Sequence, residues 1–297
     1  ISVAAEAVLL EPTEEAAIRV NSRPYRGVLI FYRTSEGKLT IVNRLGLEEY
    51  LVGALASEVD PFWPLEALKA HAVVSRTMVA HRIWIQRARP FDVTADTATH
   101  LYYGIAVERE GTRQAVETTR GQVLAYEGEI LSATFHANCG GHTENASEIW
   151  GLDAPYLKGV DCECQDIQKD GIWEKRISVS HLSDVLRRQG YRINDISDIG
   201  IDGITPAGRV KNVTLRSAHG TTTVPAETIR AALGNTVIPS VFFELELSEG
   251  EAVFSGRGSG HGVGMCQWGA KEMAGIGYDF QAILAHYYPG AVLERMK

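Results

Sequence analysis

The sequence predicts an α+β fold of mixed helices and antiparallel sheets, on three observations. Short apolar-alternating runs fill the first 45 residues and return after residue 200. Helical spacing is concentrated between Gly46 and Ile83. Strands and helices nowhere alternate as the βαβ units of a doubly wound sheet. At 297 residues the chain suits one large domain or two ordinary ones, with ample material for a core.

Taken in order, Ala16 to Val20, Val28 to Tyr32 and Leu39 to Val42 read as short strands, punctuated by Arg23-Pro24 and Glu36-Gly37-Lys38. From Gly46 the spacing of Leu47, Tyr50, Leu51 and Leu55 predicts a helix. A second helix follows Pro64, a residue suited to a first turn, and runs through Ile83. Phe91 to Tyr103 reads as loop then strand, and Glu108 to Thr119 as a short helix. Gly121 to Ala125 and Glu129 to His136 read as a hairpin turning at Glu127-Gly128. Beyond lie a helix near His181 to Gln189 and strands at Arg209 to Ser217, Thr221 to Pro225 and Phe242 to Leu247. A last helix, Phe280 to Tyr287, is closed by Pro289-Gly290. Residues 1–45 are expected to form an N-terminal β-rich segment and 46–297 the main domain, with 165–250 inserted as a subdomain.

A hydrophobic content of 45% and a charged content of 22% belong to a soluble globular protein. The net charge of −8 argues against nucleic acid, which demands a clustered basic surface. No run approaches the ~18 apolar residues of a membrane span. Ile1 to Leu10 are apolar and small but lack a basic leader and cleavage pattern, and the chain starts without Met. That start fits a mature form from which an export signal has been removed.

The densest chemical signal is Ser255 to Ala270, with glycine at every second position from Gly256 to Gly264 and Arg257, Ser259 and His261 between. Helix is excluded there, because each glycine costs about 1 kcal/mol relative to Ala. A strand of this pattern has one face without side chains and displays guanidinium, hydroxyl and imidazole on the other, as the wall of a binding cleft would.

Glu58 ends the first helix beside Phe62 and Trp63. Desolvation there would raise its pKa and fit it for general acid work, although on spacing alone a solvent-facing Glu is the simpler reading. Arg76 lies in the apolar run Ala72 to Ala80, so it must emerge at the helix edge or meet a carboxylate or ligand. His71, on the same helix, reads as an ordinary interface histidine.

Cys139, His142, Cys162 and Cys164 form C-x2-H followed, twenty residues on, by C-x-C, a set that matches tetrahedral structural zinc. His136 is a rival ligand, and buried thiols beside a chance histidine are the alternative. Cys266 could pair with His261 as a thiol nucleophile, but a small buried hydrophobe is the commoner role for such a cysteine.

Several segments together resemble the stage II sporulation protein D (SpoIID/LytB) domain family. They are Glu49-Tyr50-Leu51 through Ala56-Ser57-Glu58, Trp63 to Thr77, Phe135-His136 with Gly140-Gly141, Trp150-Gly151, Pro155-Tyr156-Leu157, and Gly256 to Tyr288. The resemblance spans about residues 45–290 in one consistent order.

The resemblance implies a bacterial, exported peptidoglycan lytic transglycosylase (a lyase of cell-wall remodelling) with a glycan-binding cleft. It acts on glycan strands, preferably those stripped of stem peptides. Its setting would be the periplasm or cell wall, with anchoring through a removed N-terminal segment as an option. The glutamate of the family's Ser-Glu motif, the catalytic acid/base, falls on Glu58, and the family's helix arginine on Arg76, which would position Glu58 or substrate. Ser57, Trp63, His136, Arg257, Ser259, His261, Gln267 and Trp268 are the expected substrate-binding residues. A non-catalytic glycan-binding amidase enhancer, with a cell-wall amidase as partner, is the alternative. A thiol hydrolase using Cys266 and His261 ranks behind both.

The sequence departs from the family pattern at two places. Trp268 stands where the family has the tyrosine of Gln-Tyr-Gly. Thr94 to Tyr103 also lacks the cysteines through which some members bind zinc. The zinc expected at Cys139, His142, Cys162 and Cys164 is therefore a reading of this sequence.

Overall fold

A computed structural model describes residues 7–12, 17–34, 36–85, 90–96, 99–162, 171–218 and 220–296. Eight α-helices and several small, mainly antiparallel sheets appear among them, which is the mixed α+β class expected. The chain divides into two compact units. No helix of the described residues is long and apolar enough to cross a membrane.

The first unit comprises residues 1–134, 274–283 and 291–297. Strands β1 (Ala7–Leu10), β4 (Val28–Arg33) and β5 (Leu39–Arg44) form one antiparallel sheet, and β2 (Ile18–Val20) pairs with β3 (Arg23–Tyr25). Helix α1 (Leu47–Glu58) buries six consecutive residues, Tyr50 to Leu55, so it is a core helix rather than an amphipathic surface one. Glu49 at its third position accepts a hydrogen bond from the Gly46 amide, satisfying one of the donors that a helix start leaves open.

Helix α2 (Leu65–Ile85) is buried from Ala70 to Thr77 without interruption. The Pro64 carbonyl accepts the amides of Ala67 and Leu68, placing the proline at the mouth of the helix. Leu51, Leu55 and Val59 of α1 and its exit share a core with Leu68, Ala72 and Val79 of α2 and with Ala115 and Val116 of α3 (Glu110–Thr118). Strands β6 (Gln122–Tyr126) and β7 (Glu129–Ile130) form the expected hairpin, with Glu127 and Gly128 both at positive φ, as a two-residue turn of the primed type demands. Strand β16 (Val292–Arg295) adds to the open side of β6. Residues 91–103 hold no strand among those described; a short 3-10 turn follows at Gly104–Val107.

The second unit comprises residues 135–273 and 284–290. Strand β8 (Phe135–His136), helix α4 (Ala146–Trp150) and a 3-10 turn (Pro155–Leu157) precede two three-stranded antiparallel sheets. One has β14 (Glu251–Arg257) between β13 (Phe243–Ser248) and β9 (Ile172–Ser178); the other has β11 (Val210–Ser217) between β10 (Asp198–Ile204) and β12 (Gly220–Pro225). Helices α5 (Val179–Arg188) and α6 (Ala226–Leu233) pack on them through Leu182, Leu186 and Ile229 against Val213, Val224 and Phe254. Strand β15 (Met265–Cys266) pairs in parallel with β8, and α7 (Gln267–Gly275) follows directly. The last helix, α8 (Phe280–Tyr287), has residues in both units.

Candidate functional site

Glu58 closes α1, and its partly buried carboxyl accepts the Leu101 amide on Oε1 at 2.5 Å. Burial pushes its pKa above the ordinary carboxylate value, while the Leu101 hydrogen bond pulls the other way. The surroundings explain the direction. Tyr50 is near enough to feel the Glu58 charge, its ring is tilted by 39° against Tyr102 with centroids 5.0 Å apart, and its hydroxyl lies 3.2 Å from His100 Nδ1. His100 is fully buried, and burial holds its imidazole down to about 3, so it stays neutral. No cationic partner is bonded to Glu58 among the described contacts, so the Leu101 amide alone opposes the effect of burial.

Ser57 turns its hydroxyl back to the Gly53 carbonyl at 2.8 Å. Trp63 packs half-buried against the core of the first unit, whereas Phe62 is 84% exposed. Arg76 is wholly buried and grips Glu48 with Nε at 3.0 Å and Nη2 at 2.7 Å. Its remaining donors reach the carbonyls of Val116 and Gln122 and the Thr119 hydroxyl. None of these partners is Glu58. Glu48 precedes Glu58 by ten residues, a rise of about 15 Å along α1. Arg76 thus ties the far end of that helix to α2, α3 and β6.

In the second unit the glycine-rich stretch is a strand only to Arg257. Gly258, Gly260, Gly262 and Gly264 all have positive φ, so the alternation there answers a backbone need rather than a bare strand face. The side without side chains is filled by the protein itself. The Trp173 indole covers Gly256, and its Nε1 donates to the Gly258 carbonyl at 3.0 Å. A Cβ at Gly258 would stand 2.8 Å from the Asn138 carbonyl oxygen, and one at Gly260 2.7 Å from His136 Cβ. Gly262 gives way to the Arg209 guanidinium.

Arg257 is exposed and lies over the Phe242 ring at 4.0 Å, and Ser259 is half-buried. His261 sits between two rings, 5.0 Å from Trp150 and 5.6 Å from His136 by centroid, and its Nδ1 accepts the Val263 amide. Burial, and next the neighbouring His136, hold its pKa well down. Trp268 carries the Lys271 ammonium over its ring at 4.3 Å. His136 and Gln267 are buried, at 4% and 7% exposure.

Cys139, His142 and Cys162, the three described residues of the four expected zinc ligands, do not come together as one group. Cys139 is buried with His136 and Cys266, and the ligand atoms of these three all lie within 4.8 Å of one another. Among the described residues no other such group occurs, and this one could hold a metal. His142 points Nδ1 at the Thr143 carbonyl and Nε2 toward Asp161 at 3.7 Å. The Cys162 sulfur lies 3.2 Å from the Tyr287 hydroxyl. Cys164 falls outside the described residues.

Sequence reading missed Glu48, Arg209 and Glu144. Arg209 Nη2 donates to the Cys139 carbonyl at 2.7 Å and Nη1 to the His142 carbonyl at 3.1 Å. Nη1 lies 3.7 Å from the fully buried Glu144, which also takes the Thr205 hydroxyl and the Asn145 amide. The available signal was weak: a single arginine at the start of a strand, and a Glu in a helix's first turn where dipole compensation already accounts for it.

A profile of the family described as Stage II sporulation protein (SpoIID) matches residues 35–126, and a domain of unknown function (DUF8618) matches residues 145–264. The first stretch contains Glu58 and Arg76, whereas His136, Cys139 and Cys266 fall outside both. An uncharacterized protein of Brachyspira hyodysenteriae is 33% identical over 98% of this chain and 77% of its own length. Stage II sporulation protein D of Bacillus amyloliquefaciens is 30% identical over 87% of this chain and 76% of its own. The amidase enhancer of Bacillus subtilis is 28% identical over 82% of this chain and 40% of its own.

Proposed function

The chain belongs to the stage II sporulation protein D family, and from that membership we propose that it is an exported lytic transglycosylase of peptidoglycan glycan strands, with Glu58 as its single acid/base. The observation that carries the reading is the state of that carboxyl. Partly buried and without a bonded cation among the described contacts, it keeps its proton above the ordinary carboxylate range. The Leu101 amide occupies Oε1, which leaves Oε2 to carry the proton.

The reaction needs one proton in each direction. Glu58 gives its proton to the glycosidic oxygen as the bond to the anomeric carbon breaks, leaving oxocarbenium character on the ring. The resulting carboxylate then takes the proton of the muramyl hydroxymethyl group as that oxygen attacks the anomeric carbon. An anhydro-muramyl end forms, and Glu58 is protonated again. Because the substrate supplies the nucleophile, no second carboxylate is required. Ser57 and Trp63, half-exposed in the same unit as Glu58, are the candidates for sugar contacts there; Arg257, Ser259, His261 and Trp268 are separate candidates on the second unit.

Anhydro-muramyl products from denuded glycan, detected by mass spectrometry, are expected, with a fall of about 10²–10⁴-fold in Glu58→Gln. Undiminished turnover in that variant would remove Glu58 from the mechanism. The rate should decline as pH rises through the raised Glu58 pKa, because the acid is lost. Likeness to the amidase enhancer supports a second reading, a glycan-binding module that presents strands to an amidase. Binding of denuded strands with no product on long incubation would establish that one instead.

A further inference from the structure

We propose that His136, Cys139 and Cys266 form a buried structural site for a thiophilic divalent metal, zinc by the chemistry of its ligands. The inference is independent of the role given to Glu58. Its first support is proximity: one imidazole and two thiols from segments 127 residues apart converge with ligand atoms within 4.8 Å. Tetrahedral zinc with bonds of about 2.0–2.3 Å needs ligand separations of roughly 3.6–3.8 Å, a contraction of about 1 Å at most from this spacing.

The second support is the histidine itself. His136 is 4% exposed, and its Nδ1 lies 3.2 Å from the Val263 carbonyl. A carbonyl can only accept, so Nδ1 carries the ring proton and Nε2 the lone pair. That Nε2 is buried and has no hydrogen-bond partner. A metal-binding histidine has this arrangement, one nitrogen oriented by a backbone carbonyl and the other left to the ion.

The sulfurs are prepared for the same role. Cys266 Sγ accepts the amides of Cys139 and Gly269, each at 3.3 Å, the latter in the first turn of α7. Amide donors at a helix start favour thiolate over thiol. The Arg209 guanidinium, bonded to the Cys139 carbonyl, adds positive charge beside both sulfurs. Two thiolates, one neutral imidazole and a divalent cation form a neutral group, which can be buried without the penalty of an isolated charge.

The location also has a use for such a link. The β8–β15 pairing is parallel and only two residues long, Phe135 with Met265 and His136 with Cys266. So short a pair holds little by itself. A metal on His136, Cys139 and Cys266 would bind the two strands and the glycine loop beside them into one piece. With Cys139 and Cys266 fully buried, a sugar has no access to the ion, so its role is to hold structure.

The test is elemental analysis of the full chain purified under reducing conditions and reconstituted with zinc alone. About one zinc per chain is expected for the wild type, Cys162→Ser and His142→Ala, and loss of it in Cys139→Ser, Cys266→Ser and His136→Gln. If those three variants do not fold, the cobalt-loaded wild type must show a thiolate charge-transfer band, and stripping its metal must lower the melting temperature reversibly by zinc but not magnesium. The proposal is overturned by wild-type protein that takes up no zinc, by retention of metal in Cys139→Ser and Cys266→Ser, or by its loss in Cys162→Ser or His142→Ala. A Cys139–Cys266 disulfide found by mass spectrometry in the reduced, zinc-treated protein would also overturn it.

Discussion

Among the described residues, Arg76 and Arg209 are the two largest side chains buried completely, one in each compact unit, and they are held in different ways. Arg76 has a two-point grip on Glu48 and four further acceptors. Arg209 meets its carboxylate, Glu144, only at 3.7 Å, spends Nη1 and Nη2 on loop carbonyls, and leaves a buried Nε without a partner. Burial lowers the Arg209 pKa, with Glu144 acting against that. The first arginine clamps helices; the second props the loop that carries Cys139 and His142. An identical residue at identical exposure therefore has separate structural work, set by which acceptors the fold brings to it.

Breaking the tighter clamp should do most damage. Glu48→Gln, which leaves the wholly buried Arg76 without its carboxylate, is expected to cost about 3–5 kcal/mol, and Arg76→Met, after which the part-buried Glu48 keeps the Gly121 amide, somewhat less. Urea denaturation checks this, and an equal loss from Arg209→Met would erase the distinction between the two clamps. Arg209→Met should cost less, on the order of 1–3 kcal/mol, because Glu144 keeps the Thr205 and Asn145 bonds. Its effect on metal content should exceed that of Arg76→Met.

Acid should weaken the first unit at its buried histidines. His71 and His100 are held down to about 4 and about 3 by burial, below their unfolded value of 6.5. Their stabilising contribution is complete above 6.5 and disappears as pH falls toward those lower values. Denaturation midpoints should therefore drop between neutral pH and pH ~4, less steeply in His71→Gln. The smallest effect has the opposite sign. The raised Glu58 pKa stabilises the protein below the unfolded carboxyl value, and that contribution is lost as pH rises through the folded one. Glu58→Gln should melt slightly higher than wild type at neutral pH and alike in acid.

The fold was legible where the signal is local. The α1 and α2 helices, the Glu127-Gly128 hairpin and strands β11 to β13 follow from spacing and turn residues within short windows. The glycine stretch misled because alternation suits a strand with one bare face and also a loop with every second residue at positive φ; the torsion angles, which distinguish them, are not written in residue type. Glu58 was legible as a carboxyl ending a helix, whereas the burial that raises its pKa and the Leu101 amide that meets it come from chain far outside that window. Local spacing paired Cys139 with His142, three residues on, whereas the fold sets it beside Cys266. Such a pairing depends on β8 and β15 meeting, as the Arg209–Glu144 pair depends on the second unit closing.

The first unit is assembled from stretches far apart in the sequence, with β16 completing the sheet of β6 and β7 and Glu66 Oε2 receiving the Phe280 amide. During vectorial synthesis, residues 1–134 emerge long before the strand that covers β6. Until Val292–Arg295 arrive, β6 presents an unpaired backbone edge, the kind that recruits another chain. Folding of the Glu58-bearing unit is thereby tied to the arrival of Val292–Arg295, so a chain cut before β16 would aggregate rather than fold.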